Sequence, residues 1–393
     1  MRILHTIVSL DPRLGGTVEC VRQIGSAITS LGHGVEVVCL DDPNADWISA
    51  FPIPAHALGN KTFNYGYSPK FRRWLETHIA DYDAVIVNGI WQYPGLVVRS
   101  ITRFKDVPYF VYVHGMLDPW SRRAHPFKYL KKALYWPWAE YRVLRDAAGV
   151  FFTSAEERIR ARRYFPFLYR LREVVVSNGI APPPPYPDAQ ADLFFTRFPQ
   201  SREKRIVLFL GRIHEKKGCD LALKAFAATA VRDRDEFVMV GSGDPRYEQT
   251  LRNLARELNI ENCVTWTGLL DGDVKWGAFR ACEVFLLPSH QENFGIAVVE
   301  ALACGKPVLI SNKINIWREI QAAGAGLVSS DDLQGTIDAL TQWFNLTQDQ
   351  RNNMAVAART CFESDFPVLR AARNVIAAID AARESANERT VCA

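Results

Sequence analysis

The chain has 393 residues, a formal net charge of +4 at pH 7, 48% hydrophobic residues and 23% charged residues. This composition is typical of a soluble globular enzyme, and the length is too great for one ordinary core, so we expect two domains. No apolar run reaches the roughly 18 residues needed to span a bilayer, which excludes an integral helical membrane protein.

The N-terminal sequence MRILHTIVSLDPRLGG lacks the form of a signal peptide, so we expect a cytosolic protein. Residues 1–180 hold 23 Lys and Arg against 16 Asp and Glu, a balance of +7, whereas the remainder holds 24 against 27, a balance of −3. The basic half is a candidate for contact with an anionic surface or substrate. The eight cysteines form no C-x-x-C pair, so we expect reduced, structural thiols.

Short apolar, β-branched segments alternate with helical patterns in the first 180 residues. The predicted strands are MRILHTIVSL, GVEVVCL, DAVIVNG, YFVYVHG, GVFFTS and EVVVSNG, and the predicted helices include TVECVRQIGSAITSLGH and the stretch from Pro126 to Arg145. This alternation predicts a parallel sheet that is covered by helices on both faces.

A proline-rich segment, APPPPYPDAQ at residues 181–190, interrupts the pattern and predicts an extended, stiff connector. The pattern then restarts with the predicted strands RIVLFLG, FVMVGSG, CVTWTG, CEVFLLPS and KPVLIS. We therefore predict an α/β fold of two doubly wound, Rossmann-like domains that face each other across a cleft. Residues 1–180 form the first domain, 181–200 the linker and 201–367 the second domain.

In doubly wound sheets ligands bind beyond the carboxyl ends of the strands, so the residues that follow each strand are the candidates for a site. Gly15 and Gly16 open the helix after the first strand, where a backbone without Cβ atoms can approach an anion, although glycine pairs also begin helices for steric reasons. His114 follows the strand VYV, and a histidine at this place is either catalytic or structural.

In the second domain the strand RIVLFLG leads into GRIHEKKG. Arg212 and Lys217 can offer two cations to phosphate oxygens, and the competing interpretation is a solvated charged turn. The strand FVMVG leads into a loop that contains Gly243, whose backbone can approach a phosphate or a base, but a single G-x-G is a weak signal.

The stretch SHQENFGIAVVEALACGK at residues 289–306 places two carboxylates eight residues apart, Glu292 and Glu300. A carboxylate can accept hydrogen bonds from two neighbouring hydroxyls, as in ribose and pyranoses, and an unpaired buried carboxylate is costly. The free amides at the helix start, from Asn293 to Gly295, can hold an oxygen-rich ligand. Together these residues predict a site for phosphates, a ribose and a second sugar.

This set of motifs closely resembles the retaining glycosyltransferases of family 4, the "group 1" transferases with the GT-B fold. PSHQENFGIAVVEALACGKPVLIS fits the E-x7-E signature and the A-x-G-x-P-V turn of that family, and LFLGRIHEKKG fits its G-R-…-K-G phosphate motif. The P-x-x-G-G loop, HGM and SNGI are weaker matches. The sequence departs from the family pattern at Asn88, where a His is frequent, and at Ser177, where a Pro is frequent.

The resemblance implies a role for each matching residue of the second domain. Glu300 would bind the ribose hydroxyls of a nucleotide-sugar donor, and Glu292 would contact the transferred hexose near its reacting carbon. Arg212 and Lys217 would neutralise the diphosphate. The sugar and the distal phosphate would be lined by the backbone of Asn293, Phe294 and Gly295.

The resemblance also implies roles nearer the base and in the first domain. Gly243 and residues 267–270, including Leu269, would lie near the base. Gly15 and Gly16 would let the first domain close on the donor, and His114 would reach toward the sugar. The C-terminal helix, residues 368–393, would cross back onto the first, acceptor-side domain.

The expected activity is the transfer of a sugar from a nucleotide-diphosphate-sugar to a glycan or lipid-linked acceptor, with retained configuration. We expect no cofactor besides the nucleotide-sugar co-substrate, and no metal ion. Asp271 and Asp273 have the spacing of a D-x-D motif, but we interpret the segment that contains them as a turn. Two alternative hypotheses are compatible with the same fold. One is a GT-B nucleotide-sugar epimerase, and the other is a non-catalytic sugar-nucleotide-binding protein. A dehydrogenase would need G-x-G-x-x-G where this chain has LGGTVE.

Residues 122–145, RRAHPFKYLKKALYWPWAEYRVLR, hold seven Lys or Arg against the single acid Glu140, with aromatic residues interleaved. One interpretation is an amphipathic helix with its aromatic side chains in the core and its cations in water. The other is peripheral contact with an anionic membrane at the inner face of the plasma membrane. Nucleic acid is not expected as a partner, since no nucleic-acid-binding motif accompanies the segment.

Overall fold

The computed structural model describes residues 1–59, 65–120, 126–165, 168–230 and 233–391. The chain divides into two compact units. The first unit comprises Met1–Ala181 and Val368–Ala393, and the second comprises Pro182–Pro367.

The described part of the first unit is built from alternating strands and helices. Its strands are β1 (Arg2–Thr6), β2 (Gly34–Cys39), β3 (Ala55–Ala57), β4 (Ala84–Asn88), β5 (Tyr109–Tyr112), β6 (Gly149–Phe152) and β7 (Glu173–Val175). Its helices are α1 (Gly16–Ser30), α2 (Asp46–Ser49), α3 (Pro69–His78), α4 (Tyr93–Thr102), α5 (Pro126–Tyr135), α6 (Tyr141–Asp146) and α7 (Ala155–Ala161). The C-terminal helix, which is numbered last below, completes this unit.

The first sheet is parallel throughout, in the order β3-β2-β1-β4-β5-β6-β7. Successive residues of one strand enter different hydrophobic clusters: Ile3 and Ile86 lie in one, and Leu4 and Val87 in the other. Because both faces of the sheet are buried, these strands are apolar at nearly every position. The predicted doubly wound arrangement is confirmed for this unit.

The second unit repeats the pattern. Its strands are β8 (Arg205–Leu210), β9 (Asp235–Val240), β10 (Val264–Gly268), β11 (Val284–Leu287), β12 (Val308–Ser311) and β13 (Gly326–Ser329). Its helices are α8 (Pro187–Arg197), α9 (Cys219–Thr229), α10 (Pro245–Glu257), α11 (Gly272–Ala281), α12 (Ile296–Ala303), α13 (Trp317–Ala323), α14 (Leu333–Asn345) and α15 (Gln348–Asp365). The strands form a parallel sheet in the order β10-β9-β8-β11-β12-β13.

The C-terminal helix α16 (Val368–Val391) lies in the first unit. Its first amide, of Val368, donates to the carbonyl of Ile180 at 3.0 Å. Val375 is buried in the same hydrophobic cluster as residues of α1. Arg383 forms an ion pair with Asp83 at 2.7 Å. The chain therefore returns to the first unit after the second is complete.

The proline-rich connector is shorter than the sequence predicts. The expectation of an extended segment through residue 190 is wrong from Pro187 onward, because Pro187 begins α8. A proline is well suited to the first position of a helix, where its missing amide hydrogen is not needed. The side chain of Gln190 on α8 donates to Asp273 on α11 at 2.9 Å, so this helix is a packed part of the second unit.

The aromatic stretch from residue 126 is helical but not a regular α-helix. Residues Trp136–Glu140 form a π-helical turn between α5 and α6. Pro137 has no amide hydrogen to donate within that turn, which is a known cause of such irregularities. Residues 122–125 of the predicted basic segment lie outside the described residues.

No helix in the described residues is long and apolar enough to cross a membrane. Seven cysteines, at positions 20, 39, 219, 263, 282, 304 and 361, are buried and form no disulfide with one another. They fill space in the two cores, as the sequence predicts.

Candidate functional site

The order in which the chain adds strands to the second sheet reverses between β8 and β11. From β8 the chain runs outward through β9 and β10, and it then returns to place β11 on the other side of β8. A reversal of strand order leaves a crevice at the carboxyl ends of the two central strands, and ligands of doubly wound folds bind there. The motifs GRIHEKKG and HQENFG follow β8 and β11, so the fold brings them to this place.

The loops after β8 and β11 lie in direct backbone contact. The amide of His290 donates to the carbonyl of Lys216 at 2.9 Å. Gly218 has a left-handed backbone, with φ of 66°, and a Cβ at this residue would lie 2.3 Å from the carbonyl oxygen of Pro288. Only glycine combines that backbone conformation with so close an approach. The last glycine of GRIHEKKG therefore fixes the distance between the two motifs.

The loop after β9 lies on the other side of the β8 loop. Ile213 and Gly243 form a parallel bridge, and a Cβ at Gly243 would lie 1.9 Å from the carbonyl oxygen of Ile213. The amide of Gly243 donates to the carboxylate of Glu248 at 2.5 Å. Gly243 thus lies beside the segment that carries Arg212, and its missing side chain is needed for packing between the loops.

Two predicted site residues from distant parts of the sequence form an ion pair. The ammonium group of Lys217 donates to the carboxylate of Glu292, and both side chains are about one-fifth exposed. Arg212 is exposed at the start of the same loop as Lys217. In the described residues no hydrogen bond or ion pair engages its guanidinium group. The pair of cations and the carboxylate therefore form one polar cluster at the crevice.

The protonation of Lys217 is sensitive to this environment. Burial lowers the pKa of Lys217 to about 8, and the cations of Arg212 and Lys216 act in the same direction. Contact with the Glu292 carboxylate opposes the change, because an anion favours the charged ammonium form. Lys217 is thus a cation at neutral pH that lies close to its titration range.

Backbone hydrogen bonds hold the segment around Glu292 against residues 313–315. The amide of Glu292 donates to the carbonyl of Lys313 at 3.2 Å, and the carbonyl of Glu292 accepts from the amide of Asn315 at 3.1 Å. The side chain of Asn315 donates to the side-chain oxygen of Asn293 at 3.2 Å. These contacts fix the carboxylate at the mouth of α12.

At the start of α12 a side chain packs in the core, whereas backbone amides are open to the crevice. The ring of Phe294 is buried and meets Phe366 edge-on, with 5.8 Å between ring centroids. Gly295 has a left-handed backbone with φ of 76° and directly precedes the helix. Within the described part of the chain, the amides of Phe294 and Gly295 have no protein acceptor. They remain available to an oxygen atom of a ligand.

Glu300 is buried within α12 but is not an unpaired charge. Lys275 on α11 donates to its carboxylate, with 2.6 Å between Nζ and Oε1. The same ammonium group lies 4.7 Å from the centre of the Trp276 ring. Sequence reasoning missed Lys275, because a single lysine in a helix carries no motif. The cue that was available is the cost of the buried carboxylate, which requires a partner.

The remaining second-unit residues lie toward the β10 edge. Leu269 follows β10 and is largely exposed, and the carbonyl of the preceding Gly268 accepts from the amide of Gly241 at 2.9 Å. Asp271 and Asp273 belong to the beginning of α11 and not to an isolated turn. The carboxylate of Asp273 accepts from Gln190, so this residue has a structural contact.

In the first unit, Gly15 and Gly16 lie exposed at the start of α1, beyond the carboxyl end of β1. Gly15 has φ of 73° and ψ of −128°, a conformation that is essentially restricted to glycine. A Cβ at Gly15 would meet no atom within 4 Å. The first glycine is therefore required by the turn, and the space beside it is open.

His114 is part of a polar chain at the carboxyl ends of β4 and β5. Its Nε2 lies 3.3 Å from the side-chain oxygen Oδ1 of Asn88. The side-chain nitrogen Nδ2 of Asn88 in turn lies 3.1 Å from Nδ1 of His5. Burial lowers the pKa of His114 to about 3 and the pKa of His5 to about 4. Both rings are thus neutral at physiological pH. His114 can exchange a hydrogen bond with a hydroxyl but cannot supply a cation.

A buried carboxylate holds the loop after His114. Glu157 accepts from the amide of Gly115 at 2.5 Å and from the amide and hydroxyl of Thr153 at 2.5 and 2.8 Å. His114 itself has a left-handed backbone, with φ of 49°. Sequence reasoning missed Glu157, although a Glu just inside a helix that begins after a strand is a recognisable anchor for a neighbouring loop.

Two family models match the two halves of the chain. The model described as "Glycosyl transferase 4-like domain" matches residues 15–179, and the model described as "Glycosyl transferases group 1" matches residues 192–360. The first match contains Gly15, Gly16 and His114. The second contains the cluster around Lys217 and Glu292. The two models together take in every residue predicted for the site.

The chain is also similar to individual proteins. It is 35% identical to a phosphatidyl-myo-inositol mannosyltransferase of Mycolicibacterium smegmatis over 175 residues, which are 43% of this chain and 44% of that protein. It is 24% identical to the alpha-monoglucosyldiacylglycerol synthase of Streptococcus pneumoniae over 83% of this chain and 75% of that protein. Seven relatives that are 30% to 35% identical to the chain are matched over only 28% to 44% of their own length.

A solved structure shows the same fold. Anabaena Alr3699/HepE, in complex with UDP and glucose, superposes with a TM-score of 0.77 at 19% identity, over 97% of this chain and 100% of that one. The two parallel sheets, the two matched domain models and this likeness lead to one conclusion. The chain belongs to the glycosyltransferases that join a glycosyl transferase 4-like domain to a glycosyl transferases group 1 domain in a GT-B fold.

Proposed function

We propose that the protein transfers a hexose from a nucleoside-diphosphate-sugar to a hydroxyl group of a glycan or lipid-linked acceptor, with retention of configuration and without a metal ion. Surface polysaccharide or glycolipid assembly is the proposed setting, at the cytosolic face of the membrane. Of the relatives named above, one is called after a lipid that it mannosylates and one after a glycolipid that it makes, and one solved neighbour was crystallised with UDP and glucose. These names support the class of donor and acceptor that we propose.

The observation that carries the proposal is the contact between Lys217 and Glu292. It joins the two motifs at the point where the strand order of the second sheet reverses. A cationic pair beside a carboxylate suits a ligand that has a diphosphate at one end and sugar hydroxyls at the other. A simple anion site would have no use for Glu292, whose charge would repel the anion.

The proposed step breaks the bond between the anomeric carbon and the diphosphate oxygen, and the bonding electron pair stays on that oxygen. Arg212 and Lys217 would stabilise the negative charge that develops there, and the Glu292 carboxylate would stabilise positive charge on the ring. The acceptor oxygen would bond to the anomeric carbon on the same face. Its proton would pass to the departing diphosphate, which balances the step.

The donor class is tested first by ligand-dependent thermal stabilisation. At a concentration about 100 times its Kd, a ligand stabilises the native state by about 2.7 kcal/mol, so a clear rise in Tm is expected. We expect UDP or another nucleoside diphosphate from a panel to raise the Tm, whereas the corresponding monophosphates have little effect. Equal shifts with the monophosphates would contradict the assigned diphosphate contacts.

Turnover separates a transferase from the two other readings. We expect free nucleoside diphosphate to be released in step with glycosylated product when a lipid or glycan extract is supplied as acceptor. An epimerase would change the sugar without any acceptor, and a binding protein would release nothing. The anomeric proton of the product, measured by NMR, tests retention. Full activity in EDTA is expected, and a strict requirement for Mg²⁺ or Mn²⁺ would contradict the metal-free step.

Donor binding is expected to weaken as the pH rises through about 8. Lys217 favours the diphosphate only when protonated, and its pKa in the free protein is lowered to about 8 by burial. Below that pH the affinity should be level, and above it the affinity should fall by up to about tenfold per pH unit. Calorimetric titration with UDP from pH 6.5 to 9.5 measures this.

The variant Lys217→Arg is the matched control for the pH dependence. Its guanidinium group stays charged throughout this range, so the decline near pH 8 should disappear even if the affinity itself is lower. A decline that persists unchanged in this variant would assign the titration to another group.

A further inference from the structure

A row of large apolar side chains lies exposed on the outer face of α5 and the π-helical turn that follows. Their exposed fractions are 83% for Phe127, 59% for Leu130, 69% for Leu134 and 73% for Trp138. Single exposed apolar residues are common, but four on one short helical segment are not. We call these four residues the apolar row.

The spacing of the apolar row is that of one helix face. The residues follow at intervals of three, four and four, which at 100° per residue keeps them within one narrow sector. The opposite face packs inward: Tyr129 and Ala133 contact the core cluster, and Trp136 is buried in it. The segment is thus anchored by its inner face and presents a second apolar face to the outside.

The cations of the segment border the apolar row, and the acid does not. Lys128 and Lys131 are exposed on α5, and Arg142 is exposed with its guanidinium carbon 5.9 Å from the centre of the Trp138 ring. The only acidic side chain in residues 126–145, Glu140, is buried and accepts from the amide of Trp91 at 2.9 Å. The exposed charges of residues 126–145 are therefore all positive.

We propose that the apolar row docks on the surface of an anionic lipid bilayer. Apolar side chains flanked by Lys and Arg, with a Trp near one end, match the two layers of such a surface: acyl chains below and negatively charged headgroups above. The charge favours a lipid surface over a second copy of this chain, because two like-charged faces would repel each other. The surface belongs to the first unit, whereas the cluster around Lys217 belongs to the second.

Flotation of the full-length protein with vesicles tests the proposal without donor or acceptor, so its result is independent of the proposed catalytic function. We expect co-flotation with vesicles of phosphatidylcholine and phosphatidylglycerol, and much less with phosphatidylcholine alone. Raising the salt concentration should weaken the binding. Brominated acyl chains should quench part of the tryptophan emission, and the quenched part should shrink in Trp138→Phe.

Two double variants separate the apolar and electrostatic contributions. Leu130→Gln/Leu134→Gln should lower the vesicle partition coefficient by about tenfold or more. Lys128→Gln/Lys131→Gln should lower it by about 25-fold on anionic vesicles, at about fivefold per cation. Leu193→Gln/Val356→Gln, at exposed apolar sites of the second unit, is the matched control and should bind as wild type does.

Three results would overturn the proposal. The first is an absence of wild-type binding to anionic vesicles at low salt. The second is unchanged binding by the Leu130→Gln/Leu134→Gln variant, with its fold verified by circular dichroism. The third is a dimer in analytical ultracentrifugation that this variant dissociates, since the row would then be an interface between copies.

Discussion

Replacing Arg212 by alanine is expected to lower kcat/KM for sugar transfer by about 100- to 1,000-fold, the usual effect of removing one preorganised group that stabilises developing charge. The guanidinium group is exposed beside the Lys217–Glu292 pair and has no intramolecular partner in the described residues, so it contributes little to the stability of the free protein. The loss should therefore appear in catalysis while the Tm without ligand stays close to that of wild type.

Steady-state kinetics with a fixed acceptor and the donor found by thermal stabilisation measure the effect. If Arg212 acts on the departing diphosphate, kcat should fall together with kcat/KM, because the charge is greatest in the transition state. Arg256→Ala is the matched control. Arg256 is exposed in the last turn of α10, where its guanidinium group donates to Asn253 at 3.0 Å. Wild-type turnover by Arg212→Ala would remove this residue from the site.

The sequence predicts the sheets and the motifs well because both depend on short-range patterns. Apolar runs such as RIVLFL and VFLL are buried on both faces, and they are found as β8 and β11. The predictions that are wrong concern features that depend on tertiary packing. A run of prolines indicates an extended connector, but Pro187 can equally begin a helix, and only packing against α11 decides between the two.

The partners of the site residues could not be predicted from local patterns. Lys275 lies 25 residues before Glu300, and Lys217 lies 75 residues before Glu292. The second pair could be expected, since each residue belongs to a motif of the same family. The first could not, since nothing distinguishes Lys275 from any other helical lysine until α11 and α12 are placed side by side. The exposed side of α5 is a similar case, because an aromatic residue can face either the core or the solvent.

Replacing Glu300 by alanine is expected to lower kcat/KM for the donor by about 10- to 150-fold, the value of a hydrogen bond to a charged group. The proposed role of Glu300 is to bind the ribose hydroxyls of the donor. The structure gives it a second role, because its carboxylate accepts from Lys275 at 2.6 Å. A simple loss of activity in Glu300→Ala would not separate the two roles, since breaking the pair can disturb α11 and α12.

A double-mutant cycle with Lys275→Met separates them. If Glu300 binds the donor, Lys275→Met should keep kcat/KM within about threefold of wild type, and Glu300→Ala/Lys275→Met should be as impaired as Glu300→Ala. The stability should behave differently. The free energy of unfolding of each single variant should be about 1 kcal/mol lower than that of wild type. The expected loss is modest because both side chains keep some contact with solvent. The double variant should recover part of this loss.

The opposite pattern would assign Glu300 to structure alone. In that case the activity of each variant would follow its stability, and the double variant would regain both. Measurement of UDP binding by calorimetry and of unfolding by urea for the same four proteins distinguishes the outcomes. The buried carboxylate in the apolar helix α12 is then explained either by a ligand that uses it or by the lysine that neutralises it. The ion pair with Lys275 lowers the cost of keeping it ready in the free protein.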